Sequence, residues 1–162
     1  MSAESHSLPD DPAGRVVAVL EAVVEALGLD GSVTVTETAN EILGVVGGDD
    51  VGLLIGRHGR TIDALQLICH QAAQRAMDPD HRKRVIVDAA DYRERRSESL
   101  RRQGDVAAEE AVASGRPVEM EPMSSSERRV VHEHLRDRTE IETYSEGDEP
   151  SRFVVVAPLV SG

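Results

Sequence analysis

Residues 51–77 read VGLLIGRHGRTIDALQLICHQAAQRAM. The stretch predicts a short apolar helix, a two-glycine turn around Arg57 and His58, and then a long amphipathic helix. In that second helix Ile62, Leu65, Cys69, Ala72, Ala73 and Ala76 recur at three- and four-residue spacings, which return to one face of a 3.6-residue helix. Such a face needs a sheet to cover it. A turn this tight between two helices calls for residues without a Cβ, and the second glycine is expected to let another backbone or a phosphodiester approach closely. The two side chains held between the glycines are a cation and a titratable ring. A helix N-terminus with exposed N–H groups beside an arginine suits an anionic phosphate. An ordinary helical hairpin with a glycine C-cap is the plainer alternative. A nucleotide P-loop does not fit, because the glycine it requires five positions before Gly59 is Leu54 and its lysine is Arg60.

Composition narrows the classes. The chain has 162 residues, 40% of them hydrophobic, with no Trp, one Phe and two Tyr, so one or two small aliphatic cores are expected. A reader of bases that works by stacking on several exposed rings is excluded. No apolar run approaches 18 residues and no basic-then-apolar leader opens the chain, which predicts no membrane span, no signal peptide and a cytoplasmic location. Cys69 reads as a small buried hydrophobe. The formal net charge is −12, unusual for a nucleic-acid binder, and its distribution is uneven. Residues 1–50 hold one base and ten acids, residues 51–102 eleven bases and seven acids, and residues 103–162 six bases and thirteen acids. Positive charge gathers around the two-glycine turn.

Taken in order, residues 1–11 read as a disordered tail. A helix follows, capped by Asp11 with Pro12 at its first position and an apolar stripe of Val16, Leu20, Val23, Val24 and Leu27. Ser32 to Glu37 and Glu41 to Val46 read as paired strands, and Arg84 to Asp88 as a third. A long polar helix runs from Tyr92 to about Ser114, interrupted by Gly104. Its Arg93, Arg95, Arg96, Arg101 and Arg102 form either a solvated face with Glu94 and Glu98 or a basic stripe toward an anionic ligand. Val118 to Met120 is a short strand, and Ser124-Ser-Ser-Glu127 is a capping box opening a helix with Val130, Val131 and Leu135 on its apolar side. Thr139 to Tyr144 and Arg152 to Val156 are expected to pair around an acidic loop, Ser145 to Ser151.

Gly56-Arg57-His58-Gly59 between two helices, after Gly52-Leu-Leu-Ile55 and before Arg60-Thr-Ile-Asp-Ala-Leu-Gln66, resembles the KH nucleic-acid-binding domain, whose GxxG loop clamps a few single-stranded nucleotides. The element order over residues 12–90 is that of the bacterial, type II arrangement (αββααβ). Arg128-Arg-Val-Val-His132, with Thr143 to Pro150 and Arg152 to Val156 after it, resembles the R-three-H domain, named for Arg-x-x-x-His. A KH domain followed by an R-three-H domain is the arrangement of the bacterial Jag family, the SpoIIIJ-associated or KhpB proteins. The resemblance covers residues 12–160.

It implies an α+β fold of two small domains: a tail (1–11), a type II KH domain (12–90), and an R-three-H domain (91–162) with helices on a small, mainly antiparallel sheet. It implies RNA binding, with Gly56, Arg57, His58, Gly59 and Arg60 as the KH clamp and Arg128, His132 and Arg152 as contacts of the second domain. Arg128 would offer a planar fork to phosphate, and His132 would donate to phosphate or stack on a base. Single-stranded RNA is the expected ligand. A small single-KH protein and a functional link to a YidC-type membrane insertase are the implied partners, in a post-transcriptional role tied to cell elongation and division. Many relatives begin with a further N-terminal Jag domain, where this sequence has an eleven-residue tail.

Two other classes compete with this reading. For an enzyme or metal site, His132-Glu-His134 puts its two rings on different faces, no zinc-spaced ligand set occurs, and the acidic loop lacks calcium spacing. No catalysis, metal or cofactor is expected. The second is a protein-interaction scaffold that uses the KH fold for homo- or heterodimerisation, which the overall acidity favours and the Arg57-His58 loop opposes.

Overall fold

The structure, a computed structural model, describes residues 8–159. The tail expected over residues 1–11 lies outside them as far as residue 7. The fold is α+β, and the chain divides into two compact units between Tyr92 and Arg93.

In the first unit α1 (Pro12–Ala26) begins as expected. The Asp11 carboxylate accepts the Gly14 N–H at 2.6 Å and Pro12 takes the first helical position. Val16, Leu20 and Val24 are buried, whereas Leu27, expected on the same stripe, lies past the last turn and is 46% exposed. The strands β1 (Gly31–Glu37), β2 (Glu41–Gly48) and β3 (Arg84–Ala89) form a sheet in the order β1-β2-β3. β1 and β2 are antiparallel, with Val33 opposite Val46, while β2 and β3 are parallel, with Leu43 opposite Ile86.

A parallel pair needs a crossover connection. Here it consists of α2 (Gly52–Ile55), one 3-10 turn (Arg57–Gly59) and α3 (Arg60–Gln74). Ile42 and Val46 of β2, and Val85 and Val87 of β3, bury against Leu20, Leu54, Ile62 and Cys69. Each such aliphatic side chain contributes about 1.5–3 kcal/mol by leaving water. α3 is also pinned to the sheet by the Gln66 side chain, whose oxygen accepts the Val87 N–H at 3.0 Å. Cys69 is fully buried, and burial pushes its thiol pKa up to about 11, consistent with packing rather than reactivity.

The second unit carries α4 (Tyr92–Ser114), whose first residue is the last of the first unit. β4 (Val118–Glu119), α5 (Ser125–Leu135), β5 (Ile141–Glu146) and β6 (Phe153–Pro158) follow. Its sheet has the order β4-β6-β5 and is wholly antiparallel. The capping box forms as expected. The Ser124 hydroxyl accepts the Glu127 N–H, and the Glu127 carboxylate accepts the Ser124 N–H at 2.8 Å. β5 lies two residues later than the sequence suggests. Glu146 pairs with Phe153, and Glu140 lies in the preceding turn, where its carbonyl accepts the Leu159 N–H. Part of the predicted loop is therefore hairpin ladder.

α4 is continuous through Gly104 and is less polar in context than in sequence. Leu100, Gly104, Ala107, Ala108 and Ala111 form a buried face. At Gly104 a Cβ would sit 3.5 Å from Leu135 Cδ1 and from Val131 Cγ1, ordinary contact distances. The Gly104→Ala substitution should thus stabilise the protein by about 1 kcal/mol, the helix-propensity difference, while Gly104→Leu should destabilise it by overpacking. Urea denaturation of the two variants checks both signs.

Candidate nucleic-acid interface

The turn between α2 and α3 has a backbone that its sequence dictates. Gly56 lies at φ +70°, ψ −176°, a region open essentially to glycine, and Gly59 at φ +76°, ψ +10°. His58 between them is also left-handed, at φ +54°. A Cβ on Gly56 would meet the Thr61 side chain, 2.8 Å from its Cβ. A Cβ on Gly59 would lie 2.7 Å from the Tyr92 ring. The expectation that Gly59 leaves room for a ligand is therefore corrected. Gly59 is buried, and the space is filled by the first side chain of α4.

What the turn offers outward is its charge. Arg57, His58 and Arg60 are exposed, and no ion pair engages Arg57 or Arg60 among the described residues. Gly59 supplies no side-chain cap to α3, so the positive end of that helix opens beside two guanidinium groups. Leu53 of α2, 64% exposed, adds an aliphatic surface next to the turn. Sequence periodicity could not single out Leu53, because a four-residue helix is too short to define a face.

In the second unit Arg128, His132 and Arg152 converge on one end of the β5–β6 hairpin. Arg128 is only 8% exposed. Its Nη1 donates to the Met123 carbonyl at 2.8 Å and its Nη2 to Glu149 Oε1 at 2.6 Å. The planar fork expected to face phosphate is thus turned inward, as a buried guanidinium requires partners for its N–H groups. One turn later the His132 ring spans β5, with Nδ1 2.7 Å from Thr143 Oγ1 and Nε2 3.0 Å from Ser145 Oγ. Thr143 and Ser145 are two apart and share a face of the strand, a relation visible in the sequence once β5 is placed. Arg152 donates from Nη1 to the Gly147 carbonyl at 2.8 Å and from Nη2 to the Ser145 carbonyl at 3.1 Å.

The arginines of α4 are partly spent inside the unit. Arg96 Nε donates to Glu127 Oε1 at 2.7 Å with both side chains largely buried, so one carboxylate caps α5 and ties it to α4. Arg101 faces Glu94 at 3.5 Å. Burial, and then the nearby Arg128 charge, hold the His132 pKa below its ordinary 6.5. Among the described residues no group of three or more His, Cys, Asp or Glu is placed to hold a metal, and no helix is long and apolar enough to cross a membrane.

Two stability predictions follow from this geometry. Arg128→Ala should cost about 2 kcal/mol, the scale of a lost charged hydrogen bond, with the exposed Glu149 end counting for little. Arg128→Lys should not restore it, because an ammonium group cannot span both acceptors; thermal melts of the two variants test this. His132 is depressed relative to the unfolded chain. Its contribution is therefore fully present above pH 6.5 and is lost as pH falls from there through the lower folded value. Stability measured from pH 7.5 to 5 should decline more steeply in wild type than in His132→Gln.

Comparison with known proteins assigns a separate family to each of the two units. The KhpA/KhpB KH-domain family matches residues 16–88, and the R-three-H domain family matches residues 98–158. Neither is an enzymatic family. The chain is similar to the RNA-binding protein KhpB of Bacillus subtilis, 32% identical over 149 residues that make up 91% of this chain and 71% of that protein. It is similar to KhpB of Clostridium symbiosum at 35% over 145 residues, covering 88% and 64% of the two chains. KhpB of Lactiplantibacillus plantarum is 44% identical over 106 residues, 65% of this chain but only 32% of that longer protein. With both domains matched in order and most of the Bacillus protein covered, the chain belongs to the KhpB, or Jag, family: a type II KH domain followed by an R-three-H domain.

Proposed function

We propose that the chain binds single-stranded RNA, with the Gly56–Gly59 turn as its principal grip. The observation that carries this reading is the start of α3, which no side chain caps, flanked by the exposed Arg57 and Arg60, neither of which makes an ion pair among the described residues. Arg57, His58 and Arg60 contact phosphates, and Leu53 receives an unstacked base. The relatives' own designation as RNA-binding proteins supports it. In the second unit Arg128, His132 and Arg152 act mainly by holding the β5–β6 end in shape, so the contribution of the Arg-x-x-x-His face to the grip is indirect. A post-transcriptional role linked to cell elongation and division, and a link to a YidC-type insertase, extend this reading by family resemblance. A small single-KH partner is supported by a KH family that spans KhpA and KhpB.

A second reading, protein contact through the KH unit, is favoured by Leu67 and Ile68. Both are more than half exposed on the outer side of α3, where the sequence reading placed no apolar surface. An Ile68→Asp variant that loses self- or partner association while keeping RNA affinity would divide the two activities between two faces.

Fluorescence anisotropy with labelled single-stranded RNA tests the principal reading. Arg57→Asp/His58→Asp should weaken binding by at least about tenfold, and its log affinity should fall less steeply with log salt than that of wild type, by roughly one unit per phosphate contact removed. A wild-type affinity independent of salt would contradict the phosphate grip.

A further inference from the structure

The edge of the second sheet offers a binding surface that the RNA reading does not use. β4 ends the order β4-β6-β5, so one side of its backbone has no neighbouring strand among the described residues. The Met120 N–H donates to the Val154 carbonyl at 2.9 Å, and Val118 lies opposite Val156 two residues earlier. Antiparallel ladders alternate. Val118 and Met120 therefore direct their backbone groups to β6, while Glu119 directs its N–H and C=O outward.

α4 runs beside this edge and encloses with it a groove of about 350 Å³. Its floor is aliphatic, formed by Val106, Ala107, Val118 and Met120, and Val106 is 63% exposed. Its rim carries Glu110, Glu119 and Glu121 against the single cation Arg102. A helix beside an open strand edge is the arrangement in which extended peptides are captured, backbone pairing giving affinity and alternate side chains giving selectivity. Pro117 and Pro122 bound the edge, which limits an added strand to about four residues.

The charges choose among occupants. Three carboxylates repel phosphate, so RNA is disfavoured. A second copy paired edge to edge would set Glu119 and Glu121 against their own counterparts, which is destabilising across strands. We propose that the groove takes an extended segment of a protein partner, added as a strand on β4, with an aliphatic side chain on the Val106 floor and lysine or arginine on either side of it. The inward residue fills the groove, and its neighbours reach the carboxylates of the rim.

The probe is a capped pentapeptide alternating lysine and valine, with a glutamate-valine peptide of the same pattern as its control. Each is titrated into the full ¹⁵N-labelled chain. The lysine peptide should give saturable amide shifts centred on Val106, Glu119 and Glu121, with a Kd below about 1 mM, and the glutamate peptide should bind at least tenfold more weakly. Glu119→Pro removes the outward N–H while leaving the bonds to β6 in place, and should abolish these shifts. Val106→Glu, at an exposed position that does not threaten folding, should abolish them as well. RNA affinity should be unchanged in both variants, which separates this site from the principal reading. Absence of saturable shifts, equal binding of the two peptides, or shifts that persist in Val106→Glu would overturn the proposal. So would the same shifts produced by single-stranded RNA.

Discussion

The parallel pairing of β2 with β3 is the constraint on which the first unit depends. Two parallel neighbours cannot be joined by a hairpin, so the chain must cross over the sheet before it returns. α2 and α3 make that crossing, and their apolar faces close the core over Ile42, Val46, Val85 and Val87. The reversal between them has to be made in four residues, Gly56 to Gly59. Only glycine reaches the backbone region that Gly56 occupies. Exposed cations at a helix start are thus a by-product of how the crossover turns. The exposed side of the turn inherits rigidity from the packing beneath it, where Tyr92 fills the space under Gly59.

In the second unit the organising element is a buried guanidinium. Arg128 is held by a carbonyl before α5 and a carboxylate beyond β5, so one side chain joins three parts of the chain. His132 and Arg152 add bonds to the same hairpin end. The result explains how a signature of one arginine and one histidine four apart can define a domain: on a helix they project from one side, and that side faces the strand they organise. The neutral imidazole serves this purpose well, since it donates at one nitrogen and accepts at the other.

Charge is partitioned in a way that its total conceals. A chain of net charge −12 carries its excess of bases around the KH turn and the start of α4, while acids dominate the remainder. Several of those bases are internally engaged, as Arg96 is with Glu127. Residues 103–162 hold six bases against thirteen acids, and Glu110, Glu119 and Glu121 lie together beside β4, so the local field there is negative while that around the turn is positive.

Much of this was legible in the sequence, because it follows from local rules. Asp11 and Pro12 start α1, Ser124 and Glu127 start α5, and the glycine pair with its cations stands out wherever it is read. Periodicity gave the buried side of α3 for the same reason. What the sequence could not supply depends on which distant groups meet. Arg128 looks like any exposed arginine until Met123 and Glu149 are folded onto it, and Gly104 looks like a break in α4 until Val131 and Leu135 pack against it. Gly59 looks like an opening until Tyr92, 33 positions later, fills it. Local sequence determined the elements and the outward charge of the turn, because capping, helical period and glycine's backbone freedom act within a few residues. Tertiary structure alone decided which polar groups are spent on the fold and which are left for a ligand, because burial and pairing are properties of neighbours that the chain brings together only when folded.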